Sequence, residues 1–126
     1  MQGGYIKNDL YKDNITWDVM EDEDEYDLFR DGSVLTFQTP GHTPGHQSIL
    51  VNLPNSGPIL LAIDAAYTMD HWEQKCLPGA LTSAREAAAS VRKLRRIAEM
   101  EGAMVVPGHD METWKKFKKA PIEYYD

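Results

Sequence analysis

Thr39-Pro40-Gly41-His42-Thr43-Pro44-Gly45-His46 gathers two of the chain's 4 histidines into one short stretch with two prolines and two glycines. Proline fixes φ and removes a backbone donor, whereas glycine permits turns and close backbone approach. A loop of this composition holds its imidazoles in place at little further entropic cost. Imidazole is the commonest side-chain metal ligand and the usual acid or base near neutral pH, so a preorganised pair points toward chemistry. The plain alternative is a turn between two strands with two polar residues in it.

The flanks define what the loop joins. Residues 34–39 are rich in β-formers, and in residues 47–53 Ile49, Val51 and Leu53 alternate to one face, predicting a strand on each side. Pro54-Asn55-Ser56-Gly57 turns the chain into an apolar run over residues 58–63, which reads as a central strand covered on both faces and ends abruptly at Asp64. Residues 65–81, with Tyr67, His71, Trp72 and Pro78-Gly79, read as an irregular loop. A helix follows. Ser83 and Glu86 form a capping-box pattern, Ala84, Ala87, Ala88, Val91, Leu94, Ile97 and Ala98 recur at three- and four-residue spacing, and Gly102 stops the pattern. Residues 103–106 make a last short strand, broken by Pro107-Gly108-His109-Asp110, and residues 111–119 suggest a short basic helix. Before the loop, residues 16–20 and 26–29 are candidate strands, with Asp31-Gly32 as a turn signal.

A chain of 126 residues is one small domain, long enough for a hydrophobic core. No apolar run is long enough to span a bilayer, and the start carries no basic-then-apolar secretory pattern. The single cysteine, Cys76, excludes an internal disulfide framework and suits a reducing compartment, so the expected location is the cytoplasm. All of the net charge of −7 falls in residues 1–31, where ten acidic side chains face Lys7, Lys12 and Arg30; residues 32–126 are neutral. That distribution argues against a nucleic-acid surface, which needs a basic stripe, and makes residues 21–25 a solvated acidic turn. The basic residues Arg92, Lys93, Arg95 and Arg96 lie mostly off the apolar stripe of the helix and read as its solvated face.

His42, Asp64 and His109 each stand at or just past the end of an apolar strand. If those strands run in a like sense within one sheet, the three side chains converge on one edge, where sheet enzymes gather ligands from strand-end loops. Two imidazoles and a carboxylate suit zinc or a similar first-row divalent ion. Taken singly, each has a structural reading: an aspartate after a strand as a cap or turn former, and a Pro-Gly-His as a turn.

The set formed by residues 39–46, Ile63-Asp64 and Pro107-Gly108-His109-Asp110 resembles the later half of the metallo-β-lactamase superfamily. The N-acyl homoserine lactonase branch is most similar, through Gln47-Ser48, the string Leu61-Ala62-Ile63-Asp64-Ala65-Ala66-Tyr67-Thr68, and Asp110 after His109. The resemblance implies an α+β fold: a sandwich of two β-sheets with helices outside, of which this chain is about half, a mostly antiparallel sheet with one long helix packed outside. It implies two zinc ions per complete site, with His42 completing the first, Asp64 bridging, and His109 on the second. It also implies that Tyr67 orients or polarises a lactone carbonyl; His46 reads as a loop residue or as a support that orients a ligand through its other nitrogen.

The superfamily's His-x-His-x-Asp-His string is absent from the sequence, whose histidines are His42, His46, His71 and His109. Residues 1–126 are therefore expected to form a single partial domain, with an acidic lead-in over 1–31, a motif-bearing core over 32–110 and Met1 as an internal or truncated start. The complete protein would open N-acyl homoserine lactones, a quorum-quenching reaction, and this chain would be inactive alone. Two alternatives are a thioester hydrolase similar to glyoxalase II and a non-catalytic half-domain that pairs with another chain. The expected partners are a small lactone and either a second copy or a complementing N-terminal half, with neither nucleic acid nor membrane.

Overall fold

The computed structural model describes residues 15, 16, 19, 24–74 and 76–126. Most of the candidate strand at 16–20 and most of the acidic run fall outside those residues. Five strands form one sheet in sequence order: β1 (Glu25–Asp27), β2 (Val34–Gln38), β3 (Gln47–Leu53), β4 (Gly57–Ile63) and β5 (Met104–Pro107). The first three pairings are antiparallel, and β4 pairs with β5 in parallel. The helices are α1 (Met69–Gln74), α2 (Ala84–Glu101) and α3 (Met111–Trp114). This mostly antiparallel sheet with one long outer helix is the α+β arrangement expected from the sequence.

Strand direction places the site. Because β2 and β4 are both antiparallel to β3, they run in one sense, and β5 follows β4. The ends of β2, β4 and β5 therefore share an edge, and β3 starts there. His42, His46, Asp64 and His109 all belong to that edge.

The core lies between one sheet face and α2. Phe37, Leu50 and Leu60 meet Val91, Leu94 and Ala98 there, and fully burying Leu50, Leu60 and Leu94 contributes about 1.5–3 kcal/mol each. The helix starts where its capping box predicts, with the Ser83 hydroxyl accepting from Glu86 N–H at 3.3 Å, and stops at Gly102, whose φ of 63° only glycine adopts freely. Period-two alternation in β3 is present, but the face that meets the helix carries Ser48 and Leu50. Ile49, Val51 and Leu53 point the other way, where Val34, Leu61 and Val106 join them across the ladder, half-buried. In β4, Ile59, Leu60 and Ala62 are buried and Leu61 and Ile63 are half-buried, so coverage on the two faces is unequal.

Three local expectations are corrected. Residues 69–74 form a helix inside the stretch that reads as a loop, because its ends are satisfied by distant groups: Asp110 Oδ2 accepts from Met69 N–H at 2.9 Å, and Arg95 donates to the His71 and Trp72 carbonyls. The strand near residues 26–29 is Glu25–Asp27, because the Asp27 carboxylate draws the Phe29, Arg30 and Gly32 amides into a turn. The basic helix ends at Trp114, with Lys116 and Phe117 continuing only as turns.

Candidate metal centre

The loop bearing His42 is seated on the start of α2. Gly41, at φ 140°, sits where an added Cβ would enter the Ala87 backbone, and its carbonyl accepts from Thr82 and Ser83 at 2.8 and 3.0 Å. Ser90 Oγ donates to the Pro40 carbonyl and Thr82 Oγ1 to the His42 carbonyl, each at 2.8 Å. The prolines and glycines thus serve a real close approach between loop and helix.

Within that seat, His42 Nδ1 lies 2.8 Å from the Ala80 carbonyl. A carbonyl only accepts, so Nδ1 carries the hydrogen, and in the neutral ring Nε2 presents a lone pair. That lone pair faces Asp64 Oδ2 at 3.6 Å. The other carboxylate oxygen, Oδ1, lies 2.7 Å from His109 Nε2. Asp64 stands between the two imidazoles, one oxygen toward each.

With the ring neutral, two acceptor atoms facing each other at 3.6 Å repel unless a cation lies between them. With ligand bonds of about 2.0–2.2 Å in tetrahedral geometry, two donors on one zinc ion stand roughly 3.3–3.6 Å apart, so the His42–Asp64 spacing suits an ion. The outer nitrogen of His42 on a backbone carbonyl is the usual way a metal-binding imidazole is oriented. The His109–Asp64 contact is a direct hydrogen bond and has to open slightly to admit one. Among the described residues, no group of three or more His, Cys, Asp or Glu side chains surrounds a common point. The donor set therefore fits a shared carboxylate between two ion positions, each with one imidazole, and falls short of filling either.

Asp64 follows a kink. Between Leu61 and Ile63 the pairing with β5 shifts register, and Ile63 adopts φ 53°, a left-handed conformation rare for a β-branched residue. His46 lies buried behind the kink, where its Nε2 accepts the Asp64 N–H at 3.1 Å. Burial holds the His46 imidazole below its ordinary pKa. Tyr67 packs against both outer imidazoles, with ring centroids 6.0 Å from His42 and 4.7 Å from His109, and its hydroxyl is 3.3 Å from His42 Nδ1. Burial, and then the Asp64 charge, push its phenol above the usual value, so it keeps its proton. His71 also neighbours Tyr67, at 6.1 Å.

His109 is carried differently. Its N–H bonds the Tyr67 carbonyl at 2.8 Å, but its side chain is 61% exposed against 25% for His42. Asp110 caps α3 and holds Met69, and amide bonds from Met69 and Thr113 lower its carboxyl to about 2. A cleft of about 410 Å³ opens beside His109, with Met111 and Trp114 among its walls. The sequence reading named the five side chains that gather here; it missed the Ala80 carbonyl, the close approach at Gly108 and the hydroxyls of Thr39 and Ser48. Only Gly108 left a trace, as the glycine of Pro-Gly-His.

Comparison with known proteins agrees with this fold. The family profile described as the metallo-beta-lactamase superfamily matches residues 4–109. N-acyl homoserine lactonase AttM of Rhizobium radiobacter is 54% identical over 125 residues, covering 98% of this chain and 47% of the relative. An N-acyl homoserine lactonase of a Bacillus species is 41% identical over 88 residues, covering 70% of this chain and 35% of its own. The chain spans about half the length of the AttM relatives it matches. A solved N-acyl homoserine lactone hydrolase, with N-hexanoyl-L-homoserine bound at its catalytic metal centre, superposes with a TM-score of 0.73 at 34% identity over 82% of this chain and 40% of its own.

Proposed function

The chain belongs to the metallo-β-lactamase superfamily, and we propose that it carries one side of a two-zinc centre that hydrolyses N-acyl homoserine lactones in the complete protein. The observation that carries this reading is the Asp64 carboxylate, with one oxygen toward the lone pair of His42 and the other toward His109. His42 and Asp64 would hold one ion, and Asp64 and His109 the other. When bound, the zinc pair supplies Lewis acidity toward the carbonyl and acidifies a nucleophilic water.

The chain's own residues do the rest. The Ala80 carbonyl fixes the His42 ring so that Nε2 is available, and His46 supports Asp64 from behind. Tyr67, protonated and wedged between the two imidazoles, donates a hydrogen bond to the lactone carbonyl oxygen, which gains charge when the carbonyl is attacked. The apolar wall formed by Met111 and Trp114 beside His109 suits an acyl chain. Ring opening yields the hydroxy acid and silences a diffusible signal, and the lone thiol Cys76 suits a reducing cytoplasm.

Two ion positions with one imidazole each and a shared carboxylate leave each ion short of ordinary coordination, so this chain alone is expected to be inactive. Joining it to the first half of an AttM relative tests the reading. The joined protein should hydrolyse N-hexanoyl homoserine lactone, and Asp64→Asn should remove at least about 1,000-fold of that rate, on the order of 4 kcal/mol of transition-state stabilisation. Hydrolysis of glutathione thioesters without lactone hydrolysis would overturn it.

A second reading, a non-catalytic half-domain that pairs with another chain, is favoured by the half-buried apolar face of Val34, Ile49, Val51, Leu61 and Val106 turned away from α2. Size-exclusion chromatography discriminates. A folded monomer argues against an obligate partner, and a stable dimer without zinc or turnover supports the pairing module.

A further inference from the structure

Behind the carboxylate, buried hydroxyl and imidazole groups join three strands. Ser48 Oγ donates to the Ala62 carbonyl at 3.1 Å, so its oxygen is free to accept from the Thr39 hydroxyl 3.0 Å away. Thr39 Oγ1 lies 2.8 Å from His46 Nδ1, and the Thr39 carbonyl lies 3.0 Å from the same nitrogen. Because the carbonyl only accepts, Nδ1 bears the hydrogen. Nε2 then holds a lone pair, which receives the Asp64 N–H at 3.1 Å. Donors and acceptors agree at every link, whereas the other tautomer would set N–H against N–H at one end and lone pair against carbonyl at the other.

We propose that His46 is a positioning residue that, with Thr39 and Ser48, fixes the backbone at Ile63-Asp64 and so aims the Asp64 carboxylate. Both of its nitrogens are spoken for and its side chain is buried, so it is not itself a ligand. The kink it braces is strained: Ile63 sits at φ 53°, a conformation that persists only where the surroundings over-determine it. His46 fixes it from one side. Gly108 fixes it from the other, lying so close that an added Cβ would be 2.5 Å from the Ile63 carbonyl oxygen. A carboxylate that addresses two imidazoles tolerates little rotation of its backbone.

The inference rests on the metal reading of Asp64, and its test separates the two. Imidazole ¹⁵N spectra of the purified chain should show His46 as the Nδ1–H tautomer. His46→Leu should speed amide hydrogen exchange at Asp64 at least about tenfold relative to Leu50 and Leu60, and weaken zinc binding by about tenfold. His46→Gln, whose amide oxygen can accept in place of Nε2, should recover part of both. If His46→Leu does not fold, Thr39→Val is the gentler probe, with about threefold faster exchange expected at Asp64 and at no core strand position. The Nε2–H tautomer, unchanged exchange at Asp64, or uniform acceleration of every strand amide would each overturn the proposal. Selective loss of protection at Asp64, with no zinc retained even when the chain is joined to the first half of an AttM relative, would retire the metal reading and leave the positioning role standing.

Discussion

His42 and His109 address the two oxygens of one carboxylate, yet each is held in a different way. The His42 loop is pressed onto α2 through Gly41, bonded by Thr82, Ser83 and Ser90, and its ring is clasped by the Ala80 carbonyl. His109 sits in a turn whose backbone is tied down by the Gly108 and His109 amides on the Ala66 and Tyr67 carbonyls and by Asp110 on Met69, but its ring is exposed and held by packing on Tyr67 and a bond to the Asp64 carboxylate. Both backbones are packed, but the His42 ring is clasped by a backbone carbonyl while the exposed His109 ring has the Asp64 carboxylate as its hydrogen-bond partner. That asymmetry predicts where the fold is brittle and where only the chemistry is.

Gly41→Ala should have the largest effect. The new Cβ meets the Ala87 backbone at a φ of 140°, so a loss of about 3 kcal/mol or more and a melting temperature lower by roughly 10 °C or more are expected in thermal unfolding. A melting temperature within about 2 °C of the parent, on that scale, would mean that the loop is not seated as described. Gly108→Ala follows at about 2 kcal/mol, since the Ile63 carbonyl cannot move aside cheaply, and chemical denaturation measures it. Ser83→Ala removes the cap of α2 and should cost about 1 kcal/mol in the same assay.

Sequence reading went furthest where the cause is local. The capping box at Ser83, the stop at Gly102 and the turns of residues 39–46 are written in neighbouring residues. The chain repeats Pro-Gly-His at 40–42, 44–46 and 107–109, and by composition these three are alike. Their differences come from residues outside each tripeptide: Ala87 and Ala80 for His42, Asp64 and Thr39 for His46, and Tyr67 for His109. The face of β3 that meets the helix was equally out of reach, because alternation fixes which residues share a face and leaves the partner of that face open. Helix α1 depends on Asp110 and Arg95, to which no nearby residue points.

Smaller effects sharpen the exposed side. The folded Asp110 carboxyl is held at about 2, below its ordinary 3.8, so the stability it contributes is full above about pH 4 and is lost as pH falls toward 2. Urea midpoints of the parent and of Asp110→Asn should therefore draw together across that window and stay apart above it. His109→Ala should change stability by no more than about 0.5 kcal/mol, while removing whatever zinc affinity the chain has. A large loss of stability there would erase the contrast with His42.

The central claim is that this chain supplies His42, Asp64 and His109 to a two-ion centre it cannot complete alone. Zinc content after gel filtration, measured on the purified chain and on the same chain joined to the first half of an AttM relative, tests it most directly. The isolated chain should retain less than one zinc per molecule, and the joined protein about two. Two zinc ions held tightly by the isolated chain, with lactone turnover, would contradict it.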